Sequence, residues 1–469
     1  MQARGLALAL ALLPLAAAAQ TPVPVGTTQS AALDAMLVRA TQDVPGVSVA
    51  VVEGDRIVYA QAAGHADLAH DAGATAQTRF AIGSITKMIT GVCVMQLVER
   101  GKLRLDASVA AVLPDVPHAD AITIRELLRH TSGLPNYLDE AFSDGSVAHP
   151  TTPRAILARI ASRPLAFTPG TDWGYSNTDD VVLGLIVEKL TGETLAAYER
   201  THVFAPAGME ETTVGPPPAG VPVAVGYGPG NQPVARYDFS WTYADGDVFS
   251  TASDLARFDI ALMNGVLVSP ATFAQMQANP VRTSLSGAGV RVDWGLSLTL
   301  LTTGGATYVG HHGGLPGFEA ENEMLPAAKY AMVVLGNYST FNTGNVKNGI
   351  LAVVLPSLAA APTPVPSPGA EDPTITARVR ALIAQIASGT IDRAQFDQHM
   401  NDAFPPNAVQ QQSQAFQALG TLQGLTYLGH AQQQSLRIYI YKARFANGPP
   451  ITFTLVIDPD GKVAGFGGQ

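Results

Sequence analysis

The chain has 469 residues, 47% of them hydrophobic and 14% charged, a composition that supports two or three compact domains and excludes a disordered chain. Its formal net charge is −10, and no long Lys/Arg run offsets it, which argues against nucleic acid or an anionic membrane as a partner. Cys93 is the only cysteine, so no intrachain disulfide can form; inside an apolar segment it reads as a buried, inert thiol.

Met1 to Ala19 has the pattern of a secretory signal: Arg4, an apolar run from Leu6 to Leu15, then Ala17-Ala18-Ala19 before Gln20. The run is short for a membrane span and Pro14 interrupts it. Cleavage, export to the periplasm or the medium, and no stable membrane insertion afterwards are therefore expected. Residues 20–30 read as a loose lead-in and Ala31 to Ala40 as a short helix. Gly46–Val52 and Arg56–Ala62 flank Glu53-Gly54-Asp55, a strand–turn–strand pattern.

The stretch from Phe80 to Arg100 opens on small residues. It then turns apolar at helical intervals (Ile85, Met88, Ile89, Val92, Met95, Leu97) and stops at Arg100-Gly101, as a helix would. Ser84 and Lys87, three apart near its start, share one helical face. A hydroxyl beside unpaired backbone N–H groups, with an amine one turn away, has what an activated nucleophile needs. Taken alone, the pair is a weak signal, and a helix cap with a solvated lysine accounts for it better.

Ile122 to Arg129 reads as another short helix, ending in the loop His130-Thr-Ser-Gly-Leu-Pro135. From about 136 to 240 the pattern is helices between proline-bearing loops; Asp179–Leu190 is the clearest, with Gly192 just past its end. The Pro216-Pro217-Pro218 run precludes regular structure. Thr251–Asn264 reads as a further helix. Val290–Leu300, Ala306–His311 and Tyr330–Leu335 read as three late strands. Two early strands and three late ones around a helical block suggest one sheet built from both ends of the chain and covered by helices. Ala359 to Pro373 is an Ala/Pro-rich linker. Beyond it, a helix over Ile375–Phe404 and strands within Tyr427–Gly461 indicate a small α+β domain without a catalytic constellation. The expected organisation is a signal over 1–19, a main domain over 30–358, the linker over 359–373 and the small domain over 374–469.

Two further motifs accompany Ser84-Ile-Thr-Lys87: Tyr175-Ser-Asn177 before the clearest helix, and Gly310-His-His-Gly-Gly-Leu-Pro-Gly-Phe318 at a strand end. Adjacent strand residues point to opposite faces, so His311 and His312 cannot easily share a metal, while Gly313 and Gly314 allow close backbone approach. In this order the three motifs resemble the serine β-lactamase and penicillin-binding-protein superfamily, its class C-type branch most closely. Gly101-Lys-Leu-Arg-Leu-Asp106, Ile122 to Pro135, Pro169-Gly170 and Ser250 to Phe258 extend the likeness across about residues 30–358.

The resemblance implies an α+β fold, β-lactamase/transpeptidase-like, with an antiparallel sheet covered by helices and a mainly helical insert. It implies Ser84 as the nucleophile that forms an acyl-enzyme, and Lys87 or Tyr175 as its base. Asn177 would bind the substrate amide or the Lys87 ammonium, and the backbone N–H groups of Ser84 and Gly314 would hold the oxyanion. No metal or organic cofactor is implied. His311-His312-Gly313 stands where Lys-Thr-Gly is usual, and a neutral imidazole anchors a carboxylate less firmly than an ammonium. The expected activity is an exported serine hydrolase acting on small esters, amides or peptides, D-amino-acid-containing ones among them. A β-lactamase or D-alanyl-D-alanine carboxypeptidase, and a non-catalytic binding protein with the same pocket, are the alternatives. Glu319, Glu321 and Glu323 alternate along the chain; they read as a solvated acidic face or, more sharply, as a rim that attracts an amine-bearing substrate.

Overall fold

The computed structural model describes residues 26–235, 237–283, 290–303, 305–356, 358, 371–397, 400–401, 409, 412–413, 416–417, 419–433, 436–447 and 451–468. The expected signal and most of the expected linker lie outside these residues. Among the described residues, no helix is long and apolar enough to cross a membrane.

The first two strands, Gly46–Glu53 and Arg56–Asp67, form the expected hairpin, and Tyr330–Gly336 pairs with the first of them from the far end of the chain. This joins both ends of the main domain into one nine-stranded sheet in the order 72–73, 56–67, 46–53, 330–336, 318–325, 306–315, 299–303, 291–294, 281–282, with every neighbouring pair antiparallel. One face is covered by the Thr27–Ala40 and Thr343–Val354 helices, packed through Leu33, Met36 and Ile350 onto Val47, Val49 and Val334. The other face carries the larger core, built from the Thr86–Glu99, Asn177–Thr191 and Ala252–Met263 helices.

The Thr86–Glu99 helix is buried from Thr86 through Leu97. It is apolar on every side because it runs through the middle of the domain, with no face left for water. The Asn177–Thr191 helix ends at Gly192 in the left-handed conformation, as its sequence predicts. The short Ile124–Leu128 helix starts on a capping box between Thr123 and Glu126.

Three expectations are corrected. Val290–Leu300 is not one strand: Arg291–Trp294 and Thr299–Thr303 pair with each other as a hairpin, Arg291 opposite Thr302 and Trp294 opposite Thr299. Apolar residues alternate from Val290 through Leu300, straight across the reversal, so it is invisible to a period-of-two reading. It is set by tertiary contact: Ser297 adopts a φ of 57° and packs where only Gly91 of the buried helix leaves room, since a Cβ there would lie 2.4 Å from that of Ser297. Phe318–Leu325 is an additional central strand. Its glutamates are not a solvated face. Lys347 lies 2.9 Å from Glu323 and 3.7 Å from Glu321, and His312 lies 2.9 Å from Glu319. The third correction is the helix expected over Ile375–Phe404, which spans Pro373–Ser388 and stops at Gly389 with φ 72°.

That last helix packs Ile375, Val379 and Leu382 against Tyr441, Phe453 and Leu455. The sheet beneath is a four-stranded meander, Leu422–Gln433, Leu436–Phe445, Ile451–Ile457 and Val463–Gly468, antiparallel throughout.

Candidate active site

Ser84 sits in a single 3-10 turn, Gly83–Ile85, leading into the buried Thr86–Glu99 helix, and its side chain is half-buried where its neighbours are fully enclosed. Tyr175 reaches it from the loop before the Asn177–Thr191 helix: the phenol donates to Ser84 Oγ at 2.9 Å. Lys87 Nζ, fully buried, lies 3.3 Å from the same oxygen and 5.1 Å from the centre of the Tyr175 ring. Its other donors go to Asn177 Oδ1 at 2.7 Å and to the Asp245 carbonyl at 2.9 Å. Three acceptors for three N–H groups describe an ammonium. Asn177 is fixed in turn by Asn136, whose Oδ1 accepts from both the backbone and the side-chain nitrogen of Asn177 at 3.1 Å.

The pocket also holds charges that no motif announced. Asp180 Oδ2 lies 3.9 Å from Lys87 Nζ, fully buried and without a hydrogen bond among the described residues. The Asp245 side chain accepts from Tyr137 at 2.7 Å. Burial works against the Lys87 charge, but Tyr175, Asp245 and Asp180 outweigh it and hold the amine above the ordinary lysine range. Burial pushes the Tyr175 phenol up as well, with Lys87 pulling the other way. A phenol so raised is neutral near pH 7, and Asp180, pushed up to about 8, is mostly protonated there, so the ammonium rests mainly on the Asp245 carboxylate and its three acceptors.

Those aspartates make folding pH-dependent. Burial pushes Asp180 up to about 8 and Asp245 up to about 6, against the pull of Lys87. Both folded values lie above the unfolded carboxyl range, so the native state binds more protons than the unfolded chain, and this part of the stability is lost as pH rises from about 4 to about 8. Asp180→Asn removes one such titration. Thermal unfolding across that window should show a flatter decline than in the wild type, and an unchanged slope would refute the assignment.

His311 and Gly313 lie on the Ala306–Leu315 strand and face the serine. A Cβ on Gly313 would stand 2.0 Å from the Ile82 carbonyl and 3.2 Å from Ser84 N, and one on Gly83 would stand 3.1 Å from Gly314 N. The strand and the serine turn are thus in backbone contact, and the amide nitrogens of Ser84 and Gly314 flank the same seam. The neighbouring Thr299–Thr303 strand stops pairing at Gly310, which leaves the edge of residues 311–315 unpaired on that side. Gly313→Ala should therefore prise the strand from the turn. Loss of at least about 100-fold in kcat is expected, as for removal of an oxyanion donor, measured against circular dichroism to verify folding.

His311 is 4% exposed. Its Nδ1 lies 2.5 Å from the His312 carbonyl, which can only accept, so the proton sits on Nδ1 and Nε2 is left as an acceptor without a partner among the described residues. Burial, and after it the Lys87 charge, pushes this imidazole down to about 3. Around it Trp294 packs edge-on to both His311 and Tyr175, at 5.2 and 5.6 Å between ring centres. Glu319, Glu321 and Glu323 pair across the strands with Gly314, His312 and Gly310 and so lie on the opposite face from His311 and Gly313. The amine-attracting rim is overturned with the solvated face.

The motifs Ser-x-x-Lys, Tyr-x-Asn and His-x-Gly-Gly are thereby brought to one place. Asn136, Asp180, Asp245 and Trp294 escaped sequence reasoning. Asn136 directly follows Pro135, the end of the loop already singled out, but an isolated asparagine, aspartate or tryptophan carries no spacing signal.

A family model described as Beta-lactamase matches residues 33–354. The chain belongs to the beta-lactamase family. Within that family it is similar to a penicillin-binding protein of Bacillus subtilis (31% identical over 302 residues, 58% of this chain and 63% of that protein) and to the esterase EstB of Burkholderia gladioli (38% over 199 residues, 39% and 50%). The chain spans about half to two thirds of the length of these two relatives. Its fold matches that of the D-amino acid amidase from Ochrobactrum anthropi SV3, solved with L-phenylalanine amide, with TM-score 0.63 at 26% identity over 71% of this chain and 99% of that one. This beta-lactamase-family domain is thus a serine hydrolase fold whose relatives include penicillin-binding proteins, an esterase and an amidase.

Proposed function

We propose that the protein is an exported hydrolase that forms an acyl-enzyme at Ser84 from small esters or amides, D-aminoacyl amides and peptides among them. The observation that carries this reading is the convergence of Lys87 Nζ and Tyr175 OH on Ser84 Oγ, at 3.3 and 2.9 Å. Lys87, held as an ammonium, cannot accept a proton, so Tyr175 is the base: the resting phenol first gives its proton to solvent, and the minor phenolate form so made, stabilised by Lys87, takes the Ser84 proton while the oxygen attacks the carbonyl. The oxyanion meets the N–H groups of Ser84 and Gly314. Tyr175 then returns the proton to the leaving alcohol or amine, and water releases the acyl group by the same route in reverse. Asn177 keeps Lys87 in place. Export rests on the pattern of Met1 to Ala19.

The substrate class follows from His311. Its Nδ1 proton is engaged by His312 and the ring is neutral, so this position offers no fixed cation to a carboxylate. Neutral substrates should be preferred. The test is a matched pair of acyl-glycyl thioesters on the purified protein, one ending in a free carboxylate and one in a carboxamide, beside a D-aminoacyl anilide, a D-Ala-D-Ala peptide and a chromogenic cephalosporin. Faster turnover of the carboxamide is expected, with His311→Lys shifting the ratio toward the acid by about tenfold or more, the scale of one hydrogen-bonded ion contact. Preference of the wild type for the acid would contradict the substrate class. A folded protein that turned over nothing and resisted a fluorophosphonate would point to a binding protein.

A further inference from the structure

His130, Ser132 and Asp179 are polar side chains buried to within 2% of full enclosure, and no hydrogen bond links any of them to Ser84, Lys87 or Tyr175. Their bonds are mostly to one another, although Ser132 Oγ also accepts from Leu134 N at 3.0 Å and His130 Nε2 lies 4.0 Å from Asp180 Oδ2. His130 Nδ1 lies 2.8 Å from Asp179 Oδ2, and the Ser132 hydroxyl donates to Asp179 Oδ1 at 2.5 Å. A serine, a histidine and an aspartate in contact invite comparison with a second nucleophilic site. The connectivity excludes it: Ser132 donates to the carboxylate and not to the imidazole, and it is 1% exposed.

What the set does hold is the segment carrying Tyr175. The His130 carbonyl accepts from Gly174 N at 2.9 Å, one residue before the tyrosine, and the Thr131 carbonyl accepts from Gly170 N at 2.8 Å. Asp179 lies four residues after the tyrosine, in the first turn of the Asn177–Thr191 helix. Residues 130–132 are therefore tied to the chain on both sides of Tyr175. His130 itself has φ 53°, a conformation that the surrounding bonds must maintain in a residue with a Cβ. Its ring lies 4.7 Å from the Tyr175 ring and 4.6 Å from that of Trp294, whose Nε1 donates to the Leu128 carbonyl at 3.1 Å. Burial, and then the Lys87 charge, hold the His130 imidazole well below the ordinary histidine range, so a neutral ring packs beside the phenol and adds no second cation.

We propose that His130, Ser132 and Asp179 act together as a positioning device for Tyr175, setting the phenol oxygen against Ser84 and contributing to the rate of acylation rather than to substrate binding. This rests on the acyl-transfer reading above. The phenol must be held within a fraction of an ångström to exchange a proton with Ser84, and an apolar packing of the same loop would hold it less directionally.

The test uses His130→Phe, which keeps a ring against Tyr175 and loses the bond to Asp179, with Ser132→Ala as a milder change that leaves the ring untouched. Rates are divided by the concentration of sites titrated with a fluorophosphonate, so misfolded protein does not count. In His130→Phe, kcat should fall on the order of 10- to 100-fold with KM within about twofold of the wild type, and Ser132→Ala should show a smaller loss of the same kind. Repeated in a Tyr175→Phe background, each substitution should lower the residual rate by less than about twofold, because the group they act through is gone. Equal losses in both backgrounds, or a change in KM with kcat intact, would overturn the proposal. Fluorotyrosine placed at position 175 gives an arm that needs no turnover: one narrow fluorine resonance in the wild type, broadened or split in His130→Phe. An unchanged resonance would also overturn it. If the wild type hydrolyses no ester, the acyl-transfer reading fails while the fluorine spectrum still decides whether the device holds Tyr175.

Discussion

Ser84→Ala is expected to abolish fluorophosphonate labelling and to lower kcat by on the order of 10⁴ or more, since a nucleophile acts as one unit with its proton acceptor and no second group can replace it. The fold should survive. The side chain is half-buried, and its loss leaves only the Tyr175 phenol and one Lys87 N–H without their shared acceptor, a change of about 1 kcal/mol in either direction. Mass spectrometry of the labelled protein locates the adduct, and thermal unfolding reports the fold. Labelling that persisted in Ser84→Ala would place the nucleophile elsewhere. No other serine combines a half-buried position with contacts to both Lys87 and Tyr175 among the described residues.

Lys87→Ala should be nearly as damaging to turnover and far more damaging to stability. Removing the ammonium leaves Asp180 and Asp245 buried around an empty site, and breaking a buried ion pair from one side typically costs about 3–5 kcal/mol. Part of that is relieved because both carboxyls already sit high, at about 8 and about 6, and can remain protonated below those values. The destabilisation of Lys87→Ala should therefore be smaller at pH 5 than at pH 8, where only about one hundredth of an acid titrating near 6 stays protonated. Tyr175→Phe separates the two roles. It keeps the ring packed on His130 and Trp294 and removes only the phenol oxygen. Acylation should fall by about 10²–10⁴ with little change in unfolding temperature. The double variant should lose scarcely more than the worse single one, because both residues serve one proton transfer. Additive losses would mean that Lys87 and Tyr175 act in separate steps.

The back of the sheet gives a different lesson about charge. Alternating Glu319, Glu321 and Glu323 read in sequence as a face turned to water, since carboxylates are rarely buried. In the structure Glu323 is 4% exposed with Lys347 against it, and Thr343 donates to Glu321 at 3.0 Å. Lys347 comes from a helix more than twenty residues further on. A glutamate's environment depends on whether a cation arrives from elsewhere in the chain, and no local pattern encodes that arrival.

The same division runs through the whole protein. By itself the sequence determined what depends on near neighbours: the hairpin around Gly54, the helix stop at Gly192, the apolar Thr86–Glu99 helix, and the one-turn spacing that sets Lys87 beneath Ser84. It also carried the order of the three motifs from which the family is recognised. Tertiary structure alone decided the fold-back at Ser297, set by contact with Gly91, and the close approach of the glycine-rich strand to the serine turn, which no spacing along the chain specifies. It also decided the charge state of the site. Asp180 and Asp245 are unremarkable in sequence, 93 and 158 residues from Lys87, yet the buried carboxyls beside it favour its ammonium form, on which the proposal of Tyr175 as the base rests. Bond rotations and hydrophobic periodicity act over a few residues, whereas a buried charge is set by everything folded around it.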